Sequence, residues 1–172
     1  MISKQPNLLG DLCLIRDDHS AFADRLSPAL AKQLLEQTVR EWSARAVAPR
    51  IRDLDRAHQF DRALFPQMAE LGLLGISVPA EYGGAGMDPI SYVLAMIEVA
   101  AADAAHSTIM SVNNSLFCNG ILKFGSEAQK QKYVRAIAEG REIGAFALTE
   151  PQSGSDATAM RCKATPQADG SF

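Results

Sequence analysis

The chain has 172 residues, 17 basic against 20 acidic, with a net charge of -3 and a pI near 5.6. That length suits roughly one domain with a real core, and its scattered lysines and arginines give no basic footprint for nucleic acid. Cys13, Cys118 and Cys162 form no CxxC pair, which argues against a disulfide framework or zinc site and fits a reducing compartment.

Residues 1–27 carry no strong pattern and read as an N-terminal extension. Met1–Arg16 holds several leucines, but Asp11, Asp17 and Asp18 spoil it as a signal or transit peptide. No stretch approaches the roughly 20 apolar residues of a membrane span. The expectation is a soluble, cytoplasmic chain. His19, His58 and His106 are far apart and read as surface or helix-end residues rather than ligands.

Ser27-Pro28 is a helix start, with serine as N-cap and proline in the first turn. Leu30, Leu34, Leu35, Val39 and Trp42 follow at helical spacing, and Pro49 is expected to end or kink that helix. A second helical segment is expected over 60–74, capped by Gly72. Val78–Gly86 is a turn-rich loop. Asp88-Pro89 opens the next helix, whose Ile90, Val93, Leu94, Ile97, Ala101 and Ala104 form one apolar stripe. A fourth helix is expected over 107–124, with Ile109, Val112, Leu116 and Ile121 inward. Ser126–Gln129 is a capping box, opening a helix that carries Tyr133, Val134 and Ile137 and stops at Gly140. Small residues at many positions predict close helix packing.

The character changes at Ile143. Residues 143–149 are a strand candidate, 157–165 a weaker one, and Asp169-Gly170 a hairpin-turn dipeptide. A hairpin needs its returning strand, and the chain stops at Phe172. The expectation is therefore a truncated or partial chain: a helical domain over 28–142, then the incomplete start of a β-domain over 143–172.

The segment Ala145–Asp156, AFALTEPQSGSD, offers hydroxyls and backbone N–H groups at a strand's end, where loops often hold ligands. On its residues alone an ordinary strand-to-loop exit remains open. The segment resembles the flavin-binding signature of acyl-CoA dehydrogenases, a strand followed by T/S-E-P and then G-S-D. Gly72–Gly86 resembles that family's loop after its second helix. Ser111–Gly125, SVNNSLFCNGILKFG, with Ser126–Tyr133, SEAQKQKY, is most similar to the short-chain (butyryl-CoA) branch.

The resemblance implies a mainly α fold: a helical N-terminal domain followed by the first strands of a middle β-domain. It implies an oxidoreductase that uses FAD to convert a short-chain acyl-CoA to the trans-2-enoyl-CoA. An electron-transfer flavoprotein would accept the electrons, and the full-length family forms homo-oligomers. Phe146, Ala147, Leu148, Thr149, Gly154 and Ser155 would contact the cofactor, and Ser155 also the acyl-CoA. Gln152 stands where the family usually has glycine, a departure that matters if the turn needs positive φ there. Glu150 and Asp156 are structural on this reading, and the catalytic base lies beyond Phe172, so residues 1–172 alone are expected to be inactive. Asn113 and Asn114 read as satisfied packing residues on a helix like one lining the acyl pocket, with Leu116, Phe117 and Ile121 as core or pocket floor. Two other readings stay open: a helical interaction module, or half of a two-chain flavoprotein.

Overall fold

Helix α1 (Pro28–Trp42) begins at the expected cap. Ser27 Oγ accepts the Leu30 N–H at 3.3 Å, and Pro28 sits where a helix has no partner for an N–H. The computed structural model describes residues 27–171, so all of the expected extension except Ser27, with Cys13 and His19, lies outside the described residues. Pro49 does not end the helix. A π-helical turn (Ser43–Val47) shifts the register, Ala48 N–H bonds to the Ser43 carbonyl, and α2 (Ala48–Ala57) continues with Pro49 in its first turn. The shift places the residue without an N–H where the ladder is already interrupted. His58, in the left-handed region at φ 52°, ends α2, and the Gln59 N–H closes onto the Leu54 carbonyl at 2.9 Å.

The second helix is shorter than expected: α3 spans Leu64–Glu70, and Gly72 at φ 72° turns the chain out. A 3-10 turn (Leu73–Gly75) and a second one (Ala80–Tyr82) follow within a glycine-rich loop. That loop is pressed against the body. A Cβ on Gly75 would lie 2.7 Å from Ala138 Cβ, and one on Gly84 would lie 2.1 Å from the Val78 carbonyl oxygen. The first contact seats the loop on the helix that carries Ala138, and the second folds the loop on itself. Tyr82 is buried and its hydroxyl donates to Glu127 at 3.0 Å.

Helix α4 (Pro89–Ala102) starts at Asp88, whose carboxylate accepts the Ser91 N–H at 2.8 Å. Its apolar stripe faces outward: Ile90, Val93 and Ile97 are 60%, 51% and 55% exposed. The buried face carries Ser91, Ala95, Glu98 and Val99. The helix is apolar nearly all round, so its pattern fixes no face, and the small side chains turn towards α1 because they permit close approach. Glu98 joins that interface through a bidentate pair with Arg40, both bonds 2.8 Å.

Asp103 breaks the chain between α4 and α5 (Ala104–Ser111). It caps the start of α5. Its carboxylate accepts the His106 N–H at 2.9 Å and lies 2.5 Å from His106 Nδ1, and His106 is buried. Burial alone pushes the Asp103 carboxyl up, but the bonds from the His106 ring and backbone outweigh it and hold the carboxyl low. A π-helical turn (Val112–Cys118) leads into α6 (Asn119–Phe124). The wider turn rotates the inward face, so Asn113, Asn114 and Cys118 are buried while Leu116 is 42% exposed. The capping box at Ser126 and Gln129 forms in both directions and opens α7 (Glu127–Gln129), a π-helical turn (Lys130–Val134) and α8 (Arg135–Ala138), which ends before Gly140 at φ 70°.

Two buried clusters hold the body: Leu35, Val39, Leu64, Met68, Leu73 and Met110 in one, and Val78, Tyr82, Cys118, Val134 and Ile137 in the other. No helix among the described residues is long and apolar enough to cross a membrane.

The expected strands do not form. Residues 143–149 carry no regular pairing, Ala157–Ala159 is a 3-10 turn, and the β-pairing among the described residues is an isolated bridge between Glu150 and Ser153. A strand is defined by its ladder, and here no neighbouring segment supplies one. The Asp169-Gly170 turn does form. Only Gly170 takes positive φ (83°), the Gly170 N–H donates to the Gln167 carbonyl at 3.1 Å, and the Gln167 N–H donates to the Ser171 carbonyl at 2.7 Å. This is a three-residue loop rather than a two-residue turn.

Gly84→Ala is expected to destabilise the protein by about 2–3 kcal/mol, because the new methyl group meets a backbone oxygen that cannot rotate away. Urea unfolding followed by circular dichroism measures this, and an unchanged midpoint would contradict it.

Candidate functional site

The segment 143–159 leaves the helical body at a fixed point. Gly144 is buried, and its N–H donates to Asn113 Oδ1 at 2.7 Å. A Cβ there would stand 2.5 Å from the Phe117 ring, so glycine is required for this approach. From Ala145 onward the chain lies on the surface. Phe146 is 52% and Leu148 39% exposed, and Ala147 and Thr149 are exposed as well.

The chain then reverses. Glu150 N–H donates to the Ser153 carbonyl and Ser153 N–H to the Glu150 carbonyl, both at 3.0 Å, with Pro151 at the first turn position. His58 is the one non-glycine residue among those described with positive φ, so position 152 does not need glycine. The Gln152 amide instead donates to the Glu150 carboxylate.

That carboxylate is the clasp of the turn. Its two oxygens accept the Arg161 N–H at 2.8 Å and the Cys162 N–H at 3.0 Å. These backbone bonds, with Gln152, hold its carboxyl below the usual range. Glu150 is thus occupied with structure. Asp156 is too: its carboxylate accepts from the Thr158 N–H and hydroxyl. Ser153 is buried, and its hydroxyl donates to the Asp156 carbonyl at 2.7 Å.

The six expected contact residues therefore flank one rigid reversal. Phe146, Ala147, Leu148 and Thr149 lie before it, and Gly154 and Ser155 after it. Both of the latter are exposed, and a Cβ on Gly154 would meet nothing within 4 Å. The arrangement offers exposed apolar side chains, two hydroxyls and uncovered backbone in one stretch, a surface suited to a flat, partly polar ligand.

Sequence reasoning missed the anchors beneath this surface. Asn114 Nδ2 donates to the Leu73 and Met110 carbonyls at 2.8 and 2.9 Å while its Oδ1 is buried with no partner among the described residues, so the amide is only half satisfied. Asn113 reaches out of its helix to Gly144. Two adjacent amides in an otherwise apolar stretch were the available signal. Phe117 and Ile121 pack against the second cluster, while Leu116 points outward.

The family model for the acyl-CoA dehydrogenase N-terminal domain matches residues 31–141. The chain belongs to the acyl-CoA dehydrogenase family. It is 45% identical over 137 residues to the mouse mitochondrial short-chain specific acyl-CoA dehydrogenase, covering 80% of this chain and 33% of that protein. It is 44% identical over 131 residues to an acyl-CoA dehydrogenase of Bacillus subtilis, covering 76% and 35%. The butyryl-CoA dehydrogenase structure from Megasphaera elsdenii superposes with a TM-score of 0.74 at 34% identity, covering 84% of this chain and 38% of that one. The chain spans about a third of the length of the curated relatives it matches.

Glu150→Ala is expected to release the Arg161 and Cys162 amides, raising their hydrogen-exchange rates while helical circular dichroism stays unchanged. In the unaltered protein those two amide resonances should hold their positions at neutral pH. They should shift only as the pH falls through a carboxyl value below the usual one, because the depressed pKa keeps the acceptor charged above it. Insensitivity of both amides to the substitution and to acid would contradict the clasp.

Proposed function

We propose that this chain is the helical part and flavin-facing turn of a dehydrogenase that oxidises a short-chain acyl-CoA between its α and β carbons. The observation that carries this reading is the surface at 146–155: apolar side chains and hydroxyls stand exposed, while the residues around them are committed to holding the turn. Family membership and the similarity to short-chain and butyryl-CoA dehydrogenases support the substrate class. A superposing structure from Bacillus anthracis, described as an acyl-CoA dehydrogenase complexed with FAD, supports the cofactor.

The residues present fit a flavin. Phe146 and Leu148 offer an apolar face to a ring system, and Thr149 offers a hydroxyl and a backbone N–H to a ring heteroatom. Gly154 leaves room for close approach, and Ser155 offers its hydroxyl to the cofactor and the acyl-CoA. Bound FAD would supply hydride acceptance from the β carbon. The chain's own work is to orient and exclude water: the apolar residues shield the reacting carbons, and the clasped turn fixes the hydroxyls. Glu150 is consumed by backbone N–H groups and Glu98 by Arg40, so neither serves as base on this reading.

Electron transfer to an electron-transferring flavoprotein and self-assembly belong to the same reading. A superposing structure is described as an electron transferring flavoprotein of Acidaminococcus fermentans, and the exposed Ile90, Val93 and Ile97 stripe supports burial against further protein. A reducing, cytoplasmic setting is consistent with free thiols at Cys118 and Cys162.

Adding butyryl-CoA anaerobically to the FAD-loaded full-length protein should bleach the flavin band near-stoichiometrically. A flavin band unaffected by every straight-chain acyl-CoA from four to eight carbons would contradict the assignment.

A further inference from the structure

We infer that Asn113 is a positioning residue for the flavin-facing segment: its side-chain oxygen and the Phe117 ring together fix where that segment leaves the helical body. The inference rests on the reading of 146–155 as flavin-facing and adds how that surface is held.

The observations meet at one residue. Asn113 is 0% exposed and lies in the π-helical turn of Val112–Cys118, where the widened turn rotates its side chain off the ordinary helical register. Its Oδ1 accepts the Gly144 N–H at 2.7 Å, a buried bond across 31 residues of sequence. On the other side of Gly144, a Cβ would fall 2.5, 2.7 and 2.9 Å from three Phe117 carbons. The chain is thus gripped between an acceptor that pulls its N–H inward and a ring that allows no side chain. Phe146 follows two residues later.

No other described group accepts the Gly144 N–H, so loss of the Asn113 oxygen strands a buried donor. Asn113 Nδ2, in contrast, has no hydrogen-bond partner among the described residues. The useful atom is the oxygen alone. This predicts an ordering of variants that a purely space-filling residue would not give: Asn113→Asp retains an acceptor, whereas Asn113→Leu keeps the volume and loses it.

The test uses the full-length protein, isotope-labelled, with FAD as the probe. Without any substitution, a scalar coupling between the Gly144 nitrogen and the Asn113 side-chain carbonyl carbon, with slow Gly144 amide exchange, is expected. Asn113→Leu should abolish the protection and weaken FAD binding by about tenfold, and Asn113→Asp should restore both. Met68→Ala, equally buried but in the other cluster from Phe117, should lower the thermal midpoint with FAD affinity unchanged. A missing coupling together with fast Gly144 exchange in the unaltered protein overturns the inference even if no variant folds. FAD binding equal in Asn113→Leu and wild type overturns the positioning role while leaving the flavin reading in place. No FAD binding by the wild type overturns the flavin reading itself, whatever the coupling shows.

Discussion

Two adjacent buried amides join the working surface to the helical body. Asn114 faces inward and ties the Leu73 carbonyl, at the start of the glycine-rich loop, to the Met110 carbonyl of its own helix. Asn113, equally buried, takes the Gly144 N–H. One π-helical turn thus sets both the packing of the loop and the exit of segment 143–159. Buried amides at such a joint are costly unless their bonds are made. Their placement therefore narrows the ways in which the chain can leave the body.

Beyond that exit the order is maintained by one carboxylate. Glu150 accepts backbone N–H groups from Arg161 and Cys162, and its own backbone closes the turn with Ser153. The rigidity is local and polar and does not depend on a sheet. Phe146, Leu148, Thr149, Gly154 and Ser155 are left uncommitted, which is the condition for a surface that binds something else.

Capping chemistry was legible in the sequence, because it is local. Ser27, Asp88 and Ser126 start helices where their side chains predict, and Gly72 and Gly140 end helical stretches with positive φ. Faces were less legible. Helix α4 is apolar on both sides, and its bulky stripe lost the core to Ala95 and Ser91, which let α1 come close. In the fourth helix the π-helical turn moved Leu116 out and brought Asn113 and Cys118 in, which no fixed 3.6-residue period anticipates. Asp103 is a helix cap paired with a buried histidine, a partnership between two side chains that no periodic pattern announces. The expected strands failed because pairing is a property of two segments, and the local pattern describes only one. The signature at 145–156 was recognisable as a motif, but its mechanics were not: that Gln152 would bind Glu150 instead of disturbing the turn needed the structure.

The most direct test is a hydrogen-exchange footprint of FAD on the full-length protein. If this turn lies against a flavin, adding FAD slows exchange at the backbone amides of 146–149 and 154–155. The amides of α1 and α4 should change far less. Protection confined to other segments, with 146–155 exchanging equally in the presence and absence of FAD, would contradict the account.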